Sequence, residues 1–322
     1  MGETAVLLLA FGGPQTLEEV RPFIERVAAG RNVPASRIDS VVEQYKLIGG
    51  RSPFNELTQT QAEALQAALR QGNKDIPVYT GMLFTEPSIK QALLDATTNG
   101  ADKIIAVIMA THRTEASYER YKEALHQARL NVQDETGKMP LVEYTNQWHV
   151  HPLFVEATAD RVIETLDKLQ AHELDNTRVL FTAHSVPQEM SDRSHYADQI
   201  QATASSVASR VRGRTGRALP WTVAYQSRSG PPTQMWLEPD LQHEMAVSKK
   251  LGKTHVVVVP VGFLCDHVEV LYDLDVLAAQ TASELGMCMM RAPTVGNHPT
   301  FIRLLAELAT DRAESFYAKP ER

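Results

Sequence analysis

Three acidic side chains follow an apolar run in the C-terminal half of the chain. The run is Val256–Val261, which is typical of a buried parallel strand, and the segment Cys265–Asp275 comes after it. On a helix that begins there, Asp266, Glu269 and Asp273 lie within roughly 60° of one another. Like charges at this spacing weaken a helix, so the face is either simply solvated or kept for a function. Its place at the carboxyl end of a strand makes it a candidate site.

Three further segments stand where strands are predicted to end. They are Phe11–Pro14, Thr182–Pro187 and Tyr225–Pro232, the last of which continues to Trp236–Asp240. His184 directly follows an apolar run, where a lone histidine is either structural or a base. Ser185 beside it suggests a hydrolase, but the chain has no G-x-S-x-G elbow there. One imidazole with two or three carboxylates instead suits proton uptake and the handling of a divalent cation.

The elements that must position these residues alternate between strand and helix. Strand patterns occur at Thr4–Ala10, Pro77–Met82, Lys103–Met109, Leu141–Tyr144, Arg178–Ala183, Trp221–Tyr225, His255–Val261 and Gly286–Met290. Helical patterns occur at Leu57–Arg70, Glu86–Thr97, Glu115–Arg129, Leu153–Leu169, Asp198–Val211 and Val268–Leu285. This order predicts α/β architecture with parallel sheets covered by helices on both faces. Eight strands allow one sheet or two sets of four. We favour two doubly wound domains, residues 1–147 and 148–322, with a cleft between them. In a variant of this division, the last helix packs back on the first domain.

Composition excludes several classes of protein. The 322 residues are 43% hydrophobic and 22% charged, as in soluble globular proteins, and the net charge of −7 argues against nucleic acid as a partner. The two cysteines, Cys265 and Cys288, provide neither a disulfide framework nor four ligands for a zinc ion or an iron–sulfur cluster, which fits a reducing cytoplasm. The apolar runs are too short for a transmembrane segment.

Nucleotide signatures are also missing. The turn Phe11-Gly12-Gly13-Pro14 lacks the G-x-G-x-x-G spacing of a dinucleotide site. Gly252-Lys253-Thr254 ends like a P-loop, but position 247 is valine and the segment precedes a strand instead of following one. Neither segment therefore supports binding of ATP or NAD.

Five motifs resemble those of the ferrochelatase family. They are Leu9–Pro14, Tyr45 with Ile48–Pro53, Ala183–Pro187, Tyr225–Pro231, and Pro260–Phe263 running into Asp266–Glu269. They follow one another in family order along nearly the whole chain. The last two, with Trp236–Asp240, look most like the coproporphyrin-type enzymes of Gram-positive bacteria. The resemblance implies two Rossmann-like domains, each with a four-stranded parallel sheet, and a porphyrin cleft between them.

The resemblance also implies an activity and its residues. Fe²⁺ would be inserted into coproporphyrin III with loss of two pyrrole protons, a late step of cytoplasmic haem biosynthesis. His184 and Glu269 would be the catalytic pair across the macrocycle, and with Asp273 they would contact the metal. Substrate contacts are expected at Phe11, Arg31, Tyr45, Ile48, Ser52, Tyr121 and Trp236. Fe²⁺ would be a substrate, with no cofactor and no [2Fe–2S] cluster. We expect a monomer that contacts neighbouring haem-pathway enzymes transiently.

The chain departs from family patterns at specific positions. Leu277 stands where several relatives have a third acid two turns after Glu269, so a carboxylate track for incoming metal is shortened to Glu269 and Asp273. Phe11 stands where some relatives carry a tyrosine that ligates iron, so product haem must be held otherwise. His149 and His151 form an H-x-H that could bind metal, although a surface or linker role is favoured.

Three alternatives remain open. Protoporphyrin IX is the alternative substrate, with two carboxylates to accommodate where coproporphyrin has four. A non-catalytic porphyrin or haem carrier is disfavoured, because binding alone needs no base opposite an acid. A bilobal solute-binding protein fits the fold, but an export signal is missing from the sequence.

Overall fold

A computed structural model describes residues 3–30, 33–230 and 233–318. Its strands are β1 (Glu3–Ala10), β2 (Val78–Met82), β3 (Ala101–Ile108), β4 (Leu141–Tyr144), β5 (Thr177–His184), β6 (Trp221–Gln226), β7 (His255–Val259) and β8 (Cys288–Arg291). Its α-helices are α1 (Leu17–Ala28), α2 (Ala35–Leu47), α3 (Phe54–Gln71), α4 (Ile89–Thr98), α5 (Arg120–Thr136), α6 (Pro152–Leu166), α7 (Ala171–Asp175), α8 (Gln188–Ser194), α9 (Tyr196–Thr215), α10 (Leu241–Lys250), α11 (Val268–Leu271), α12 (Ala279–Glu284) and α13 (Pro299–Ala318). Wider π-helical turns occupy Glu115–Glu119 and Asp273–Ala278.

The chain divides into two compact units. The first contains the residues up to Ala110, Ala116–Gln147 and the residues from Asn297 onward. The second contains Thr111–Glu115 and Trp148–Gly296. The helix α13 therefore belongs to the first unit, although it lies in the stretch 148–322 that was assigned to the C-terminal domain. Within the described ranges, no helix is both long and apolar enough to cross a membrane.

The first unit is built on a parallel sheet in the order β2-β1-β3-β4. Seven of the eight residues of β1 are buried, because helices cover both faces of this central strand. Leu7 and Leu9 belong to a core cluster that includes residues of α4 and α5. Helices α3 and α13 pack against each other and against β2 and β3. The carboxyl end of β1 leads directly into Phe11.

The second unit repeats this architecture in the order β6-β5-β7-β8. Alternate residues of β5 enter different core clusters: Phe181 lies with residues of α6 and α9, and Leu180 lies with residues of α10 and α12. His184 is the last residue of β5 and is paired in register with Gln226, the last residue of β6. The predicted fold, two doubly wound four-stranded parallel sheets, is confirmed.

The predicted helix Val268–Leu285 is wrong as a single regular helix. It consists of α11, the π-helical segment Asp273–Ala278 and α12. The Gln226 side chain donates a hydrogen bond to the carbonyl oxygen of Glu269, in the turn before the π-helical segment. An inserted side chain of this kind is a known cause of a break in an α-helix, and π-helical turns occur frequently at functional sites.

Close packing beneath β5 gives a test of this unit. A Cβ atom on Gly262 would lie 2.8 Å from Cβ and 2.9 Å from Cα of Ala183. We expect Gly262→Ala to lower the free energy of unfolding by about 1–3 kcal/mol, because the strand must shift to admit the methyl group. Gly213→Ala is the control, since nothing lies within 4 Å of a Cβ there and alanine favours the helix α9. Urea denaturation measures both; an equal effect of the two substitutions would contradict the prediction.

Candidate active site

His184 is fixed at the carboxyl end of β5 by its neighbours. The Tyr196 hydroxyl donates to the His184 carbonyl oxygen at 3.2 Å, and the Ser185 amide donates to the Gln226 carbonyl at 2.7 Å. The Ser185 hydroxyl is buried and donates to the Leu237 carbonyl at 2.9 Å. A hydroxyl committed in this way has no free proton for a neighbouring base, so the hydrolase interpretation of Ser185 is not supported.

Glu269 is held through its backbone. It lies in the first turn of α11, where the ring nitrogen Nδ1 of His267 accepts from the Glu269 amide at 3.2 Å. The Gln226 side chain donates to the carbonyl oxygen of the same residue. Burial lowers the pKa of His267, which keeps this ring neutral and able to accept. Both backbone groups of Glu269 are thus bound to side chains, and its own carboxylate is free to point elsewhere.

The carboxylate of Glu269 points at His184. Nε2 of His184 lies 3.5 Å from Oε1 of Glu269, and the two side chains are 29% and 34% exposed. Nδ1 of His184 contacts the carbonyl oxygen of Ser185, which can only accept, so Nδ1 carries the ring hydrogen. In the neutral ring, Nε2 then has a lone pair directed at a carboxylate. A proton or a cation stabilises two such acceptors at this separation, so the pair can either accept a proton or bind a divalent cation.

Asp273 lies one helical turn beyond Glu269. Its Oδ2 accepts a hydrogen bond from the Ser227 hydroxyl. Ser227 has φ of 63°, a left-handed conformation that is uncommon outside glycine, and the contact with Asp273 stabilises it there. Among the residues that the structure describes, no three histidine, cysteine or acidic side chains gather closely enough to hold a metal ion. The structure therefore brings together His184 and Glu269, and Asp273 stays a predicted ligand.

Asp266 does not share the predicted acidic face. It precedes α11, so helical periodicity does not apply to it, and it pairs with Arg291 at 3.0 Å. Arg291 also binds Asp275 at 2.6 Å, and its own side chain is only 16% exposed. Thr294 donates a further hydrogen bond to Asp266 at 3.0 Å. The charge of Asp266 is thus neutralised by a structural ion pair.

Phe11 directly follows β1 in the first unit and forms part of an aromatic cluster. Its ring centroid lies 4.7 Å from that of Phe84 and 6.3 Å from that of Phe23. The Arg120 guanidinium stacks over the Phe84 ring at 4.6 Å, and Arg26 donates to the Phe84 carbonyl at 3.1 Å. Phe11 and Phe84 are half-buried, so this cluster offers an apolar surface next to cationic groups.

The other predicted substrate contacts in the first unit differ in exposure. Tyr45, Ser52 and Tyr121 are 2%, 3% and 3% exposed, so in this conformation they offer a ligand almost no surface. Burial also raises the pKa of the Tyr121 hydroxyl. Ile48 is half-buried just after α2, and Arg31 lies outside the described residues. The role of each in binding stays a prediction.

Trp236 belongs to the same unit as His184. It is half-buried, its indole Nε1 donates to the Gln234 side chain at 3.2 Å, and its backbone forms an antiparallel bridge with Pro187. A Cβ on Gly230 would lie 2.3 Å from the indole nitrogen, so only glycine allows this packing. Trp236 thus lies in the loop that follows β6, and its bridge to Pro187 places it next to the segment after His184.

Sequence reasoning gave no role to Gln226 and Ser227. Both lie in a quoted motif, but the sequence does not show which residues their side chains contact. The signal in the sequence was the position of Gln226, a polar residue at the end of a predicted strand. In the structure this strand lies next to β5, and Gln226 is only 2% exposed. A buried amide at a strand end must find hydrogen-bond partners, and here its partner is the backbone of Glu269. His267 was likewise quoted without a role.

Comparison with known proteins finds similarity over nearly the whole chain. A family model described as ferrochelatase matches residues 3–313. A ferrochelatase of Rhodopirellula baltica is 38% identical over 318 residues, covering 98% of this chain and 87% of that protein. A coproporphyrin III ferrochelatase of Streptomyces coelicolor is 35% identical, covering 96% of this chain and 85% of that protein.

Solved structures show the same fold. The sirohydrochlorin chelatase SirB of Bacillus subtilis, in complex with cobalt, has a TM-score of 0.53 at 12% identity, covering 97% of this chain and 96% of that one. The multidomain protein DR2241 of Deinococcus radiodurans has a TM-score of 0.55 at 16% identity. The match covers 96% of this chain and 55% of DR2241, a protein described as structurally similar to chelatases.

Proposed function

The chain belongs to the ferrochelatase family, and we propose that coproporphyrin III is the porphyrin into which it inserts Fe²⁺. Insertion of iron into a porphyrin, a step of haem biosynthesis, follows from the family. The choice of porphyrin is supported by relatives from Streptomyces and Frankia that carry the name coproporphyrin III ferrochelatase. Protoporphyrin IX is the alternative substrate.

The contact between His184 and Glu269 carries the proposal. Metal insertion removes two protons from weakly acidic pyrrole N–H groups, so a base is needed at the reacting nitrogens. Nε2 of His184 has the free lone pair for this task, because Nδ1–H is bound to the Ser185 carbonyl. The Glu269 carboxylate, 3.5 Å away, stabilises the imidazolium that forms. A carrier that only binds porphyrin has no use for this arrangement.

In the proposed reaction Asp273 contacts the metal before Glu269 does. It lies one turn further along the helical segment, at a rise of about 1.5 Å per residue for regular helix. Its carboxylate oxygen is a suitable ligand for a hard, partly hydrated divalent cation. The hydrogen bond from Ser227 supports this, because it orients the carboxylate and leaves its charge unchanged.

The proposal includes further properties of the enzyme. It works in the cytoplasm as a monomer, without a cofactor or a [2Fe–2S] cluster, and contacts neighbouring haem-pathway enzymes transiently. Two cysteines, one of them buried, support the expectation of no cluster, since such a cluster takes four ligands. The same scarcity of cysteine is common in proteins of reducing compartments.

Anaerobic incubation with Fe²⁺ and each porphyrin tests the substrate. We expect kcat/KM for coproporphyrin III to exceed that for protoporphyrin IX at least about tenfold, because each additional carboxylate forms charge-assisted hydrogen bonds of roughly 1.5–3 kcal/mol. Absorbance of the porphyrin follows the reaction. Equal or reversed values would assign protoporphyrin IX instead. Tight porphyrin binding without insertion of any metal would identify a carrier.

Removal of either member of the catalytic pair should abolish most activity. We expect His184→Ala to bind porphyrin and to lower kcat at least about 10²-fold, the usual effect of losing a general base. Glu269→Gln keeps the side-chain shape and removes its charge, so kcat should fall with little change in melting temperature. His126→Ala and Glu284→Gln, at exposed positions, are matched controls. Insertion at the wild-type rate by His184→Ala would remove His184 as the base.

Asp273 should differ from Glu269 in kinetic effect. We expect Asp273→Asn to raise the KM for Fe²⁺ and to leave kcat within a few-fold, because asparagine still accepts from Ser227 but lacks the charge. Ser227→Ala is the companion variant, since it removes the hydrogen bond and keeps the charge. Its effect on KM should be the smaller one. An unchanged dependence of rate on iron concentration in Asp273→Asn would refute a metal contact at this residue.

A further inference from the structure

The structure separates the two histidines of the H-x-H motif. Nδ1 of His151 accepts from the Leu153 amide at 3.3 Å and caps the first turn of α6. The imidazole of His149 instead faces that of His112, with ring centroids 6.1 Å apart and ring planes at 50°. His112 comes from the short segment Thr111–Glu115, which belongs to the same unit as His149. The sequence gives no sign of this pair, because 36 residues separate its members.

Hydrogen bonding fixes the tautomer of His112. The Thr203 hydroxyl has one hydrogen, which it donates to a backbone carbonyl, either that of His149 at 2.9 Å or that of Gln199 at 3.0 Å. Its oxygen therefore accepts from Nε2 of His112, which lies 3.0 Å away. In the neutral ring this leaves the lone pair on Nδ1. Metal-binding imidazoles have the same arrangement, with one nitrogen bound to a partner and the other free to ligate.

The remaining ring nitrogens of the pair are buried without partners. Nδ1 of His112 and Nδ1 of His149 are both inaccessible to solvent and neither forms a hydrogen bond. His112 as a whole is only 5% exposed, whereas the His149 ring is half-buried. A buried polar group without a hydrogen-bond partner is destabilising, so two of them on neighbouring imidazole rings call for a ligand that both can bind.

The spacing of the rings suits one ion held by both imidazoles. A metal–nitrogen bond of about 2.0–2.1 Å, with the ring centre roughly 1 Å behind the nitrogen, places two ligating rings about 5–6.5 Å apart, centre to centre. The observed separation of 6.1 Å lies in this range. Imidazole nitrogen is a ligand for zinc, iron, cobalt, nickel and copper, whereas magnesium and calcium take oxygen ligands.

We propose that His112 and His149 form a second metal site, which binds a late first-row divalent transition ion apart from the pair His184 and Glu269. No third histidine, cysteine or acidic side chain joins them among the residues with described positions. Two protein ligands leave coordination positions for water, so the ion is bound weakly and reversibly. Tyr196 links the two sites: its ring lies edge-on to His112 at 6.1 Å, and its hydroxyl donates to the His184 carbonyl.

The test is a titration with Co²⁺ in the absence of porphyrin. The protein carries His184→Ala and Glu269→Gln, so that the reaction's own pair contributes no binding. We expect one equivalent of Co²⁺ per chain with visible d–d absorbance, and loss of that equivalent when His112→Gln or His149→Gln is added. His151→Asn, which retains a capping side chain, should leave it in place. An excess of Mg²⁺ should not compete, and Zn²⁺ should.

Three results would overturn the proposal. The first is that Co²⁺ does not bind up to millimolar concentration, which would indicate a bound water only. The second is equal binding of Co²⁺ by all variants. The third is loss of binding in His151→Asn alone, which would assign the metal to the H-x-H motif. Because His149 is half-buried, His149→Gln still tests the site if the variant at the buried His112 misfolds. On the wild-type protein, Co²⁺ should broaden the imidazole NMR signals of His112 and His149 and spare that of His151. Iron insertion is measured separately, so failure here leaves the proposed function untouched.

Discussion

The hydrogen bond from the Gln226 side chain to the Glu269 carbonyl connects the parts of the candidate active site. Gln226 is the register partner of His184 at the ends of two adjacent parallel strands, so its position follows from the sheet. Its side-chain amide binds the first turn of α11 and thereby fixes the position of that helix relative to β5 and β6. The distance from Nε2 of His184 to Oε1 of Glu269 depends on this relation, because the two residues are 85 positions apart in the chain. The order of strands alone would not set it.

The interruption of the helix after α11 has the same origin. In a regular helix from Val268 to Leu285, the Glu269 carbonyl would accept from the amide four residues later. Binding of the Glu269 carbonyl by Gln226 competes with that hydrogen bond, and the π-helical turns from Asp273 to Ala278 follow. A wider turn redirects the side chains that come after it. Asp273 then meets Ser227, and Asp275 meets Arg291.

Local pattern was sufficient for the fold and only partly sufficient for the site. The strands could be predicted because buried parallel strands are continuous apolar runs, and each predicted strand overlaps an observed one. His184 could be predicted from its place after such a run. Asp266 could not be assigned correctly, because its partner Arg291 lies 25 residues away and no periodicity links them. The same is true of His112 and His149, whose proximity arises from tertiary packing, whereas only the neighbouring His151 is visible as a motif.

The fixed tautomer of His184 determines which of its ring nitrogens faces Glu269. With Nδ1–H bound to the Ser185 carbonyl, one lone pair on Nε2 and one carboxylate face each other, so in the proposed reaction the pair offers two acceptors for the two protons that a porphyrin releases. A neutral imidazole beside a carboxylate has a net charge of −1, and an imidazolium beside a carboxylic acid has a net charge of +1. An incoming cation is attracted in the first state and repelled in the second. In the proposed reaction this reversal of sign would give turnover an order, because the next cation would be attracted only after the protons have left the pair.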